Sequence, residues 1–274
     1  MITIVWHTSR ENSWESDWIE HLFRYTPHQT ILDYLQTQFI DRSYIVYNAS
    51  VNIQEYVKKL SATGKKFGLI HLSDEWDRDI VEHYPLANVV LRNYYKDLGN
   101  NVINFPLGCM NTFPYDLTIN TLNDRKYTWS FSGHIDKTTR YDMAKYMSTV
   151  PNGQSYFKTC GQYHGYALTP LELSNLTNDS IFVPCPHGNC SIDSFRVYET
   201  LQAGALPIVE SNPYWSNLLG NDHPLIEISD WSQAPSTIQT LLSDSSSLEQ
   251  QRLSAHKWWI KYCDDLSNKL TGIL

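Results

Sequence analysis

One continuous stretch, Phe182 to Val209 (FVPCPHGNCSIDSFRVYETLQAGALPIV), restricts what this chain can fold into more tightly than any other part of it. An apolar strand at Ile181–Val183 runs into a loop of Pro, Cys, His, Gly and Asn. A helix is then expected from near Asp193 to Gly204, and a second strand, Ala205–Val209, follows at once. Asp193 and Ser194 suit a helix start, and Gly204 supplies a left-handed stop. Phe195, Tyr198 and Leu201 recur at spacing three and line one face, while Arg196 and Glu199 share a neighbouring face. A loop, a helix N-terminus, an arginine and a carboxylate one turn later form a cradle for a nucleotide diphosphate and its ribose. The plainer reading is a βαβ unit with a surface Arg–Glu pair that only supports the helix.

Strand and helix patterns alternate on both sides of this unit. Strands are expected at Ile2–Trp6, Tyr44–Tyr47, Phe67–Leu72, Asn88–Leu91 and Val102–Phe105, with a helix face at Trp18, Ile19, Leu22 and Phe23 and another at Ile53, Tyr56, Val57 and Leu60. A second series begins at Tyr127–Ser132 and continues with a helix near 138–149, a strand at 156–160 and a helix near 170–177. After the central motif come a short helix at 214–218, a strand at 225–228, a helix at 235–243 and a long final amphipathic helix. Such alternation predicts parallel sheets covered by helices. The expected division is a Rossmann-like domain over 1–115, a turn-rich linker over 116–126, a second Rossmann-like domain over 127–246, and a helix at 247–274 returning toward the first domain.

Composition narrows the partners. With 274 residues, 42% hydrophobic and 13% aromatic, the chain is globular and long enough for two domains. Its net charge is −8 and no basic run exceeds Lys65–Lys66, which argues against a nucleic-acid partner. No apolar run approaches the roughly 20 residues of a membrane span. Met1–Val5 reads as a first strand rather than a leader peptide, so a soluble, cytoplasmic protein is expected. The five scattered cysteines are expected to be reduced and unligated.

The string Cys185–Pro186, a variable loop, then Asp193, Ser194, Phe195, Arg196, Glu199, Leu201, Ala203, Gly204 and Pro207 resembles the C-terminal segment of exostosin-like glycosyltransferases. His71-Leu72-Ser73-Asp74-Glu75, Arg92-Asn93-Tyr94, Pro106-Leu107-Gly108 and Phe131-Ser132-Gly133 occur in the order found in the branch similar to ribitol xylosyltransferase. The resemblance covers roughly residues 67 to 210. It implies the GT-B architecture, two doubly wound Rossmann-like domains facing each other across a cleft. It also implies transfer of a sugar, with xylose the first expectation, from a UDP-sugar to a carbohydrate hydroxyl with inversion.

Such a reaction needs a base for the acceptor hydroxyl, positive charge for the departing diphosphate and a grip on the nucleotide. The base is expected from Asp74–Glu75, with Asp74 the more natural helix cap and Glu75 the base; His7, at the tip of the first strand, is the rival. Donor contacts are expected from Gly133, Arg140, Pro186, Asp193, Ser194, Phe195, Arg196 and Glu199, with Arg140 equally well placed to be a solvated first-turn residue. His71, Arg92 and Asn93 are candidates for the acceptor or the cleft. Asp77 and Asp79 form a D-R-D in an apparent helix, outside the usual context of a metal motif, so no obligatory metal or other cofactor is expected. The alternatives are a non-catalytic nucleotide-sugar or sugar binding protein and a GT-B type nucleotide-sugar epimerase. Oligomeric state is left open.

Overall fold

The computed structural model of the chain describes residues 1–32, 39–48, 52–72, 76, 78–159 and 168–274. It divides into two compact units, residues 1–107 with 263–274 and residues 108–262.

The first unit is built on a parallel sheet of six strands: β1 (Ile2–Trp6), β2 (His28–Ile31), β3 (Ser43–Asn48), β4 (Phe67–Leu72), β5 (Val89–Arg92) and β6 (Val102–Asn104). Their order is β2-β1-β3-β4-β5-β6. β1, β4 and β5 are buried at every position, which is why they read as unbroken apolar runs: both faces of a parallel sheet are covered. Helices α1 (Ser16–Leu22) and α2 (Gln54–Ala62) supply part of that cover. Val57 and Leu60 of α2 enter a core with Val5, Ile45, Leu69 and Val90. β2 was not expected from the sequence. It is a half-exposed edge strand of four residues, His-Gln-Thr-Ile, and an edge needs no continuous apolar pattern.

The second unit carries β7 (Tyr127–His134), β8 (Gly153–Lys158), β9 (Ser180–Pro184), β10 (Leu206–Glu210) and β11 (Ile226–Ile228) in the order β11-β10-β9-β7-β8, all parallel. Its helices are α3 (Arg140–Met147), α4 (Pro170–Asn178), α5 (Phe195–Gln202), α6 (Pro213–Leu219), α7 (Ala234–Leu242) and α8 (Ser245–Leu270). The final turns of α8, from Cys263, belong to the first unit. Counted from its own first strand, this sheet runs 2-1-3-4-5, and the first sheet has the same order with a sixth strand added. The order reverses between β1 and β3 in one sheet and between β7 and β9 in the other. At such switch points the loops diverge to opposite faces and leave a crevice at the carboxyl edge.

α5 begins two residues later than the sequence predicts. Ser194 takes the N-cap position without a side-chain cap bond, and the helix covers Phe195–Gln202. Asp193 does not cap it: its carboxylate accepts hydrogen bonds from the Tyr198 hydroxyl at 2.8 Å, the Tyr214 hydroxyl at 2.7 Å and the Ser194 amide at 2.8 Å. From Val197 onward every residue of α5 is buried, and Tyr198 packs on Trp259 of α8 with ring centroids 5.3 Å apart. The helix ends as expected, with Gly204 at φ 64°.

Candidate functional site

At the carboxyl edge of the second sheet, β7 ends in Ser132-Gly133-His134 and β9 ends at Pro184, whose chain continues into the loop before α5. Arg196, in the first turn of α5, reaches across this switch point. Its Nη2 donates to the Ser132 carbonyl at 2.7 Å, and its guanidinium carbon lies 4.4 Å from the centre of the Phe131 ring. Among the described residues the other N–H groups of the guanidinium have no hydrogen-bond partner. Gly133 makes this approach possible, since a Cβ there would stand 2.9 Å from Nη2, and its φ of 151° favours glycine.

One turn further on, Glu199 is 4% exposed and accepts one hydrogen bond, from the Met110 amide at 3.3 Å. Burial pushes its carboxyl up to about 7, against the pull of the Arg196 charge. Asp193 is likewise raised to about 7 by burial, although three donors favour its ionised form. The Ser194 hydroxyl at the helix start is buried without a hydrogen-bond partner. A fork of unspent donors, an orphan hydroxyl and a carboxylate with one oxygen uncommitted therefore meet within two turns of one helix.

The remaining donor candidates frame this group. Arg140 is neither solvated nor turned outward. It is 8% exposed, and its Nε and Nη1 donate to the carbonyls of His187 at 2.8 Å and His134 at 3.2 Å, tying the β9–α5 loop to the end of β7. Pro186 is buried in that loop and Phe195 is half-buried. Sequence reasoning passed over Glu210, at the tip of β10, which accepts from Thr139 at 2.7 Å and lies 3.5 Å from His187. It also passed over Tyr214, whose value depends on the fold of Asp193. Cys185 and Cys190 are both free thiols, with Cys185 buried and Cys190 exposed.

In the first unit the structure spends several candidates on one another. His71 and Arg92, each 1% exposed, surround Asp79: Arg92 Nη2 is 2.6 Å and His71 Nε2 3.4 Å from its carboxylate. The Tyr84 hydroxyl completes the network, accepting from Arg92 at 3.2 Å and bonded to His71 Nδ1 at 2.5 Å. Asp79 does not lie in a helix, contrary to the sequence reading, because its carboxylate folds inward to neutralise Arg92. Asp74, Glu75 and Asp77 lie outside the described residues. His7 stands at the tip of β1, 8% exposed, with its ring edge-on to Tyr56 at 5.3 Å and its pKa lowered by burial. Asn93, fully buried, donates to Glu15 at 3.4 Å.

Among the described residues no group of three or more His, Cys, Asp or Glu side chains is arranged to hold a metal ion, and no helix is long and apolar enough to cross a membrane.

No protein-family model matches the sequence, and no curated protein sequence matches it significantly. Solved structures do match over almost the whole chain. An α1,3-fucosyltransferase superposes with a TM-score of 0.54 at 12% identity, covering 98% of this chain and 91% of that one. The DNA-modifying enzyme β-glucosyltransferase, whose substrate is uridine diphosphoglucose, gives 0.54 at 12% identity over 97% and 96%. An α-glucosyltransferase solved with UDP-glucose and DNA containing an abasic site gives 0.54 at 11% identity over 98% of both chains. The fold is that of the GT-B glycosyltransferases: two Rossmann-like domains, each on a parallel sheet.

Proposed function

We propose that the protein is a glycosyltransferase of the exostosin-like kind, moving a sugar from a UDP-sugar to a carbohydrate hydroxyl with inversion at the anomeric carbon. Arg196 carries this reading. A half-buried guanidinium that spends one N–H group on the Ser132 carbonyl, fixed at a sheet switch point, is suited to a diphosphate. The uncommitted oxygen of Glu199 would take the ribose hydroxyls, and Ser194 would donate to a phosphate oxygen. Gly133 and Phe195 stand beside these contacts, while Pro186, Arg140 and Asp193 hold the loop in shape. On the acceptor side the sequence-derived candidates for the base are Glu75, Asp74 and His7. His71 and Arg92 contribute by fixing the strand tips rather than by touching the acceptor. Arg196 provides the positive charge the leaving diphosphate requires, so no obligatory metal is invoked. Xylose is the first donor sugar to try. A net charge of −8 argues for a glycan acceptor over the DNA named for the two glucosyltransferases.

The test is isothermal titration with UDP, followed by transfer assays with UDP-sugars in the presence of EDTA. Micromolar UDP binding and EDTA-resistant transfer are expected. Silence toward UDP and every other nucleotide would leave a sugar-binding role in its place, and consumption of donor without any acceptor would indicate an epimerase.

Gly133→Ala supplies a second check. The added methyl would stand 2.9 Å from Nη2 and strain a backbone at φ 151°, so the guanidinium must shift against Ser132. A loss of UDP affinity of roughly tenfold, about 1.4 kcal/mol, is expected by titration. An affinity equal to that of the unmutated protein would mean that Arg196 is not held where the diphosphate binds.

A further inference from the structure

Beside the first sheet lies a carboxylate with no cationic partner among the described residues. Glu15 lies on the connection from β1 to α1, at the β1/β3 switch point. It occupies the N-cap position of α1, yet its side chain makes no cap hydrogen bond. Its Oε1 instead accepts from Asn93 Nδ2 at 3.4 Å, and Asn93 directly follows β5. β3 and β4 lie between β1 and β5 in the sheet, so this contact carries the carboxylate over the tips of the central strands. α1 is pinned in that position, because Trp18 Nε1 donates to the Pro106 carbonyl at 2.8 Å, just beyond β6. Two other acids of this unit are committed: Asp79 to Arg92 and His71, and Glu20 to Arg10 and His28. Among the described residues Asn93 is the one other residue whose side chain hydrogen-bonds to the Glu15 carboxylate, through Oε1.

We infer that Glu15 is the catalytic base that takes the proton from the acceptor hydroxyl, a role that rests on the glycosyl-transfer reading above. Asn93 orients the carboxylate through Oε1 and leaves Oε2 for the acceptor. As the acceptor oxygen forms its bond to the anomeric carbon, its proton passes to Glu15. The bond from that carbon to the β-phosphate oxygen breaks, and its electron pair leaves with UDP. Glu15 then returns the proton to water. Burial raises the Glu15 carboxyl to about 7, which suits a group that must both accept and release a proton near neutrality.

The deciding experiment measures kcat and UDP affinity for the wild type, Glu15→Gln, Glu15→Asp and Glu75→Gln. The donors are UDP-xylose, UDP-glucose, UDP-galactose, UDP-glucuronic acid and UDP-N-acetylglucosamine, offered with a panel of oligosaccharide acceptors. Glu15→Gln keeps the shape and the Asn93 contact. Its kcat is expected to fall by roughly a thousandfold, with UDP affinity unchanged and urea midpoint undiminished. Glu15→Asp, which keeps the charge but withdraws it, is expected to fall by less. Transfer by the wild type with Glu15→Gln within threefold of it overturns this assignment alone, as does a collapse confined to Glu75→Gln. No transfer by the wild type with any donor overturns the glycosyl-transfer reading and this assignment with it.

Discussion

Replacing Arg196 with alanine is expected to weaken UDP binding by roughly a hundredfold, about 3 kcal/mol, measured by isothermal titration at one fixed salt concentration. On the proposed reading the guanidinium would meet a diphosphate already immobilised by Ser132 and Phe131, so little side-chain entropy would be lost. Partial burial already works against its charge in the folded protein. Arg196→Lys keeps a charge but loses the planar fork and its stack on the ring, and most of the affinity should go with them. Glu199→Gln removes an acceptor for the ribose and is expected to cost about tenfold. Loss of the contact with Phe131 also lowers stability in Arg196→Ala, by about 1–2 kcal/mol, so a urea melt belongs beside each titration. Affinities within threefold of the wild type in both variants, with the proteins folded, would refute this donor site.

The candidate donor residues could be picked out in the sequence because they are local to one another. Arg196 and Glu199 are one turn apart on a helix whose stop and buried face are written in the local sequence, although its start came two residues later than expected. Both sheets were legible for a similar reason, since strands buried on two faces show as apolar runs. What the sequence did not disclose depends on strand order or on returning chain. Glu15 looks like a helix-start residue until the order β1-β3-β4-β5 shows how far it must reach to meet Asn93. His71 and Arg92 sit at strand tips, where ligand contacts are expected. Position along a strand does not reveal that Asp79 comes back to cover them. Asp193 was read as a cap because aspartate commonly is one. Its real partners, Tyr198 and Tyr214, come from two different helices, and only packing brings them together.

Asp193 gives the second large effect. Its carboxyl is 1% exposed, and burial raises it from the ordinary aspartate range to about 7. An acid whose pKa is higher in the folded state binds more protons folded than unfolded, so stability falls as pH rises. The fall begins near the unfolded value of about 4 and ends above the folded value of about 7. Buried histidines oppose it below about pH 6.5: His21 and His83, both lowered to about 4 by burial, favour folding as pH rises through that range. Glu15 and Glu199, also raised to about 7 by burial, add to the fall, so the wild-type profile mixes several groups and a comparison with Asp193→Asn isolates the part that belongs to Asp193. Asparagine resembles the protonated acid and can donate its amide to a tyrosine oxygen, but it does not titrate. Urea unfolding should find the two proteins of similar stability near pH 4.5. The variant should then gain about 3 kcal/mol on the wild type by pH 8. A constant deficit of Asp193→Asn across the same range would show that the tyrosine hydroxyls and the Ser194 amide hold Asp193 ionised, outweighing its burial. UDP affinity of the same variant distinguishes its two uses. A loop merely shaped by Asp193 keeps its affinity when the charge is removed, whereas a loop whose Ser194 amide is aimed by that charge loses it.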